Sequence, residues 1–103
     1  MTSTRELLPN RRPSETFAFT HDGFTYTATV SRFDDGRPAE LFLATGKPGT
    51  AVETVARDAA VAVSLALQHG APLTTVVMAM TRLDDGSAAG PLGKALEMIG
   101  GDE

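Results

Sequence analysis

The side chains in this chain that could act on a substrate or hold a cation are few and scattered. His21 lies in a His-Asp-Gly turn and His69 at the end of a helical run, neither with a second histidine nearby. A metal site would need carboxylates from distant segments. A turn residue and a helix-end residue favoured by the dipole account for both. Asp34-Asp35-Gly36 and Asp84-Asp85-Gly86 place adjacent carboxylates before a glycine. They lack the spacing of a calcium loop, and Asp-Gly is what a tight turn requires. Gly46-Lys47-Pro48-Gly49-Thr50 stands between a strand and a helix but lacks the second half of a phosphate loop. A helix N-terminus beside Lys47 is a weak anion site at most. Ser14, Ser64 and Ser87 have no glycine elbow and no His–Asp partners. The chain has no cysteine, which excludes disulfides, thiolate metal sites and thiol nucleophiles. The expectation is a chain with no catalytic residue, no metal and no cofactor.

The remaining candidates are cations and amides suited to binding. Arg5, Arg11 and Arg12 fall in the first dozen residues, while acids dominate the loops and the C-terminus. Arms with paired arginines and prolines dock in grooves or touch phosphate. The weak partner- or anion-binding set is therefore Arg5, Arg11, Arg12, Lys47, Arg57 and Gln68. Arg57 and Asp58, with Ser64 and Gln68 further along, read as a hydrated or subunit-facing side of one helix. A net charge of −4 disfavours nucleic acid, whose affinity rests on neutralised phosphates.

The elements that position these residues follow from periodicity. Phe17 and Phe19 alternate with Thr16, Ala18 and Thr20, a short strand beginning near Glu15. His21-Asp22-Gly23 turns the chain. Phe24, Tyr26, Ala28 and Val30 then line one face of a period-two strand, with Thr25, Thr27, Thr29 and Ser31 on the other. Asp34-Asp35-Gly36 signals a hairpin into a third strand, Arg37 to Thr45. Its consecutive apolar residues, Leu41 to Ala44, place it centrally or under a helix.

Thr50 can cap a helix from Ala51 to His69, with Glu53 at the capping-box position. Val52, Val55, Ala56, Ala59, Val63, Ala66 and Leu67 form its apolar stripe, and Glu53 can pair with Arg57 on the opposite side. Val61 and Leu65 lie off the stripe and suggest a second covered side. Gly70 ends the helix. A second helix follows from Pro72 to Leu83, then a loop at Asp84 to Ser87 and a third helix from Pro91 to Ile99. The fold class is α+β, a three-stranded antiparallel meander followed by three helices packed on it.

At 103 residues with 42% hydrophobic and 21% charged content, the chain is expected to form one domain over residues 15–100. An extended basic arm would precede it over 1–14 and a disordered tail follow at 101–103. No apolar run reaches the roughly 18–20 residues of a membrane span, and the N-terminus lacks a signal peptide's apolar stretch. No membrane partner and a cytoplasmic location are expected.

Four ordered blocks carry a family resemblance: LPNRR (Leu8 to Arg12), DDGRPAELFL (Asp34 to Leu43), GKPG (Gly46 to Gly49) and SLALQHGAPL (Ser64 to Leu73). Together they resemble the C-terminal region of vitamin B12-dependent, class II ribonucleotide reductases, the TSCPD domain. That region has a Leu-Pro and double-arginine opening and an acidic-Gly hairpin into a Glu-Ile-Phe-type strand. A Lys-x-Gly turn follows, then a helix ending in Leu-Gln-x-Gly-x-Pro-Leu. The resemblance covers most of the chain, but the family's TSCPD motif is missing. The cysteines that carry the family's radical chemistry sit on a separate barrel and have no counterpart here, so no catalytic residue is carried over. The resemblance implies a free-standing relative of the accessory domain, or a piece of a longer chain.

Two functions are expected from different classes. The first is an interaction module that self-associates as a homo-oligomer, or docks on a ribonucleotide reductase or another protein. The second is a small regulator binding nucleotide or nucleic acid through the arginine arm and the Lys47 turn.

Overall fold

A computed structural model of the chain describes residues 4–8, 14–46 and 49–100. Three strands, β1 (Ser14–His21), β2 (Phe24–Arg32) and β3 (Pro38–Thr45), form an antiparallel sheet in the order β1-β2-β3. Three helices follow: α1 (Ala51–Gln68), α2 (Leu73–Ala79) and α3 (Pro91–Gly100). The α+β architecture matches the expectation in element number, order and pairing.

The sheet forms where the period-two pattern placed it. Phe19 faces Tyr26, Phe17 faces Ala28, and Ala28 and Val30 face Leu43 and Leu41 across the ladders. These residues share the inner face, and the rings of Phe19 and Tyr26 stack with centroids 5.5 Å apart. Val63 and Leu67 of α1 and Leu96 and Ile99 of α3 complete the core against them. Burial of such side chains contributes about 1.5–3 kcal/mol each. The outer face carries Thr16, Ala18, Thr20, Thr25 and Thr27, all exposed, and Thr16 and Thr29 join their hydroxyls at 3.0 Å.

Several boundaries and placements are corrected. β1 begins at Ser14, one residue early, and β3 at Pro38. Of the two placements expected for β3, central or under a helix, the second holds: it is an edge strand beneath α1. Its inner face lies under α1, but Phe42 and Ala44 on the outer face are exposed.

α1 is capped by Thr50, whose hydroxyl accepts from Glu53 N–H at 3.2 Å, but its buried arc is rotated from the expected stripe. Glu53, Ala56, Ala60, Val63, Ser64, Leu67 and Gln68 are buried, while Val52 and Val55 are exposed. The helix ends at Gln68, one residue short of His69. Gly70 adopts the positive φ of +99° that the turn after it demands.

α2 starts at Leu73, with Pro72 as its cap, and stops at Ala79 rather than Leu83. Thr74, Thr75, Val76 and Val77 are β-branched and weak helix formers. The chain beyond is drawn into a bridge between Arg82 and Ala88. Arg82 holds that turn by donating to Gly86 O and to Glu97. α3 starts at Pro91 as expected and runs to Gly100, one residue past Ile99, and Gly93 lets it sit against Ala88, whose Cβ would lie 3.2 Å from any added Cβ.

Candidate functional site

The buried polar residues of α1, Glu53, Ser64 and Gln68, are used on the edge of the sheet. α1 lies beside β3 with its direction reversed, so Glu53 stands by Thr45, Ser64 by Leu41 and Gln68 by Ala39. Glu53 Oε2 accepts from Thr45 N–H at 3.4 Å. Ser64 Oγ accepts from Leu41 N–H at 2.8 Å and lies 3.1 Å from Leu41 O and 2.8 Å from Ala60 O, to one of which its single hydrogen goes. Gln68 Nε2 donates to Ala39 O at 3.0 Å. Edge strands expose unpaired backbone groups and invite aggregation. Here one helix face supplies the partners that a fourth strand would supply.

The row continues into the N-terminal segment. Arg5 Nε donates to Gln68 Oε1, and Glu6 N–H donates to Gln68 O at 2.7 Å. The Glu6 carboxylate accepts from Arg37 at 3.1 Å. Arg37 also grips Asp35 at 2.6 Å and lies 4.6 Å from the centre of the Phe33 ring. Its backbone N–H and then its guanidinium hold the Asp35 carboxyl below the usual carboxylate range.

The candidate residues therefore divide. Arg5 and Gln68 meet. Arg57 lies apart, 3.7 Å from Glu53, and that pair is not on the opposite side of the helix, since Glu53 is buried. Arg11, Arg12 and Lys47 lie outside the described residues. The expectation that Ser64 and Gln68 belong to a hydrated or subunit-facing side is overturned: they are 7% and 2% exposed. The physical reason is the open β3 edge, which rewards buried donors and acceptors where an apolar face would leave backbone groups unpaired. The signal was present in the spacing. Residues 53, 64 and 68 fall on one face with Ala56 and Ala60 at 3.6 residues per turn.

A cleft of about 480 Å³ opens on the other flank of α1. Val52, Val55 and Ala59 form one wall, Met80 and Leu92 the other, with Tyr26 behind them. Burial, then the charge of Asp22, pushes the Tyr26 phenol above its ordinary value, so at neutral pH it is an uncharged donor. Such a surface takes an apolar group and offers no acid–base pair. On the opposite flank of the helix, Val61 and Leu65 are 49% and 42% exposed.

His21 is the last residue of β1, just before the Asp22-Gly23 turn in which it was expected, and His69 follows the helix-end reading. His21 Nε2 lies 3.0 Å from Ala89 O, and His69 N–H closes the end of α1 on Leu65 O. Asp85 accepts from Ser87 hydroxyl and N–H inside its own turn. Among the described residues no group of histidine, aspartate and glutamate is placed to hold a metal ion. No helix among them is long and apolar enough to cross a membrane.

Residues 2–99 match the model of the TSCPD domain. The chain is 40% identical over 77 residues to a vitamin B12-dependent ribonucleotide reductase of Agrobacterium fabrum, an alignment covering 75% of this chain and 6% of that protein. It is 36% identical over 73 residues to the protein of that name from Rhodopirellula baltica, covering 71% and 7%. With that of Streptantibioticus cattleyicolor it shares 34% over 79 residues, covering 77% and 13%. The chain thus spans only a small fraction of the length of these relatives. No solved structure matches it.

Proposed function

The chain belongs to the TSCPD domain family, and on that premise we propose that it is a non-catalytic interaction domain that self-associates and docks on a vitamin B12-dependent ribonucleotide reductase. The observation that carries the reading is the division of labour on α1. Its buried polar residues Glu53, Ser64 and Gln68 hold the helix to β3, and its apolar residues Val52 and Val55 are left open beside an apolar cleft. A side chain already bonded to backbone within the fold is a poor acid, base or nucleophile. An exposed aliphatic rim around a cleft fits an anchor residue of a protein partner. The relatives carry the matching region within a reductase, which makes that enzyme the partner to test first.

The regulator alternative, binding nucleotide or nucleic acid through the arm, is less well supported. Arg5 is turned onto Gln68 and Arg57 towards Glu53.

The test is binding of the purified chain to the reductase of its own cells, and separately to nucleotides and single-stranded DNA, at low and high salt. The expected result is saturable reductase binding that tolerates salt and is lost in Val55→Asp, a change at an exposed site that leaves folding intact. Binding only to DNA or nucleotide, with a steep salt dependence, would overturn the proposal.

A further inference from the structure

The two edges of the sheet are treated differently. β3 is closed by Glu53, Ser64 and Gln68, whereas among the described residues β1 has no such cover. The two-residue turn Asp22-Gly23 makes His21 and Phe24 a bonded pair, and alternation from there turns the backbone groups of Ser14, Thr16, Ala18 and Thr20 outward. Lys94 Nζ caps Thr20 O at 2.7 Å. Among the described residues no other side chain reaches this row. β1 has eight residues, no bulge and no proline, and beyond Lys94 at one end and the charge of Glu15 at the other the described residues give it none of the devices that guard natural edges.

We propose that a second copy of this chain pairs with it here, β1 against β1 about a two-fold axis through Ala18, making one six-stranded antiparallel sheet. The sequence of the strand selects a copy of itself as the occupant. In this register Ala18 meets Ala18 of the partner subunit and Thr16 meets the partner's Thr20, all outward-facing residues, so the hydrogen-bonding phase agrees. Glu15, paired with Arg32 of its own chain at 3.2 Å, falls beside the partner's His21. Phe17 meets the partner's Phe19 on the inner face. The aromatic row already running from Phe17 through Phe19 to Tyr26, with centroids 6.2 and 5.5 Å apart, then continues across the axis. Thr16 N–H of the partner replaces Lys94 on Thr20 O. A two-fold axis normal to the sheet leaves both helical layers on one side and both α1 clefts free.

The pairing rests on the self-association proposed above and names its surface. Because the chain has no cysteine, single-cysteine variants report without ambiguity. Directly opposed residues of a bonded antiparallel pair have Cα atoms about 5.5 Å apart, within disulfide reach. The experiment oxidises Ala18→Cys and Thr25→Cys at high micromolar concentration, alongside sedimentation of the wild type and of Ala18→Pro. Proline is tolerated at an edge where the N–H faces solvent.

A wild-type dimer, a covalent dimer from Ala18→Cys but not Thr25→Cys, and a monomeric folded Ala18→Pro are expected. A wild-type dimer whose Ala18→Cys does not cross-link overturns this pairing and leaves self-association standing through another surface, with Val61 and Leu65 of α1 next in line. A wild-type monomer overturns both. Should Ala18→Pro not fold, the cysteine variants decide.

Discussion

Arg5 donates from its guanidinium to the side-chain oxygen of Gln68. One residue on, Glu6 N–H donates to the Gln68 carbonyl at 2.7 Å. The same glutamine, 2% exposed, passes its amide hydrogen to Ala39 O. One side chain thus joins the N-terminal segment, the end of α1 and the β3 edge. A buried amide worth this many contacts behaves as part of the framework, and its loss is felt at all three places.

Gln68→Ala leaves Ala39 O without its donor and Arg5 without its acceptor. The expected cost is about 2–3 kcal/mol, a lost buried hydrogen bond plus packing. Arg5→Ala, at the exposed end, costs about 0.5–1.5 kcal/mol. Urea unfolding of both variants checks the magnitudes. Amide exchange at Glu6, faster in each, checks the mechanism.

Ser64→Ala removes the acceptor of Leu41 N–H and a donor to the carbonyls nearby. The change in volume is slight, so the loss is that of an unsatisfied buried backbone group, about 1–3 kcal/mol. A second readout separates this from simple loss of helix stability. The open edge should raise the tendency of the variant to aggregate on heating, measured by light scattering against the wild type.

The pH dependence follows from three groups. Asp35 is held below its ordinary value by Arg37 N–H and then by the Arg37 side chain, and Asp85 by the Ser87 hydroxyl and then its N–H. A depressed carboxylate contributes stability that is present above its unfolded value, about pH 4, and lost as pH falls through the folded one. Both are solvent-exposed, so the effect is modest. Tyr26 runs the other way. Its raised value favours the neutral phenol in the fold, so its contribution is present below about pH 10 and lost above it. Acid and alkaline titrations of stability should show a shallower acid fall in Asp35→Asn and a shallower alkaline fall in Tyr26→Phe.

The meander was legible because its signals are local. Thr25, Thr27 and Thr29 alternate with Tyr26, Ala28 and Val30, and Asp-Gly turns sit at both hairpins. The cap at Thr50 and the stop at Gly70 are equally local. What escaped was the orientation of α1, which is set by a non-local demand, the unpaired edge of β3. Its Ala-rich sequence offers apolar residues over more than half its circumference, so periodicity alone admits several rotations. The block Ser64 to Leu73, which carried part of the family resemblance, contains both Ser64 and Gln68. Its content is structural: it caps a strand and ties down the N-terminal segment. The position of β3 at the sheet edge was likewise hidden, because Leu41 to Ala44 reads as a doubly covered strand although only one face is covered.

The apolar flank of α1, with Val52 and Val55 exposed beside the cleft, is the docking surface proposed for a ribonucleotide reductase. Hydrogen–deuterium exchange of the chain, free and saturated with the reductase, tests it most directly. Protection should gather on residues 51–59 of α1 and on residues 80–92, the two walls of the cleft, with β3 unchanged because it is already covered. Protection confined to residues 4–8 and to the turn before α1, or no protection at saturating reductase, would contradict the account and favour a regulator that works through its arm.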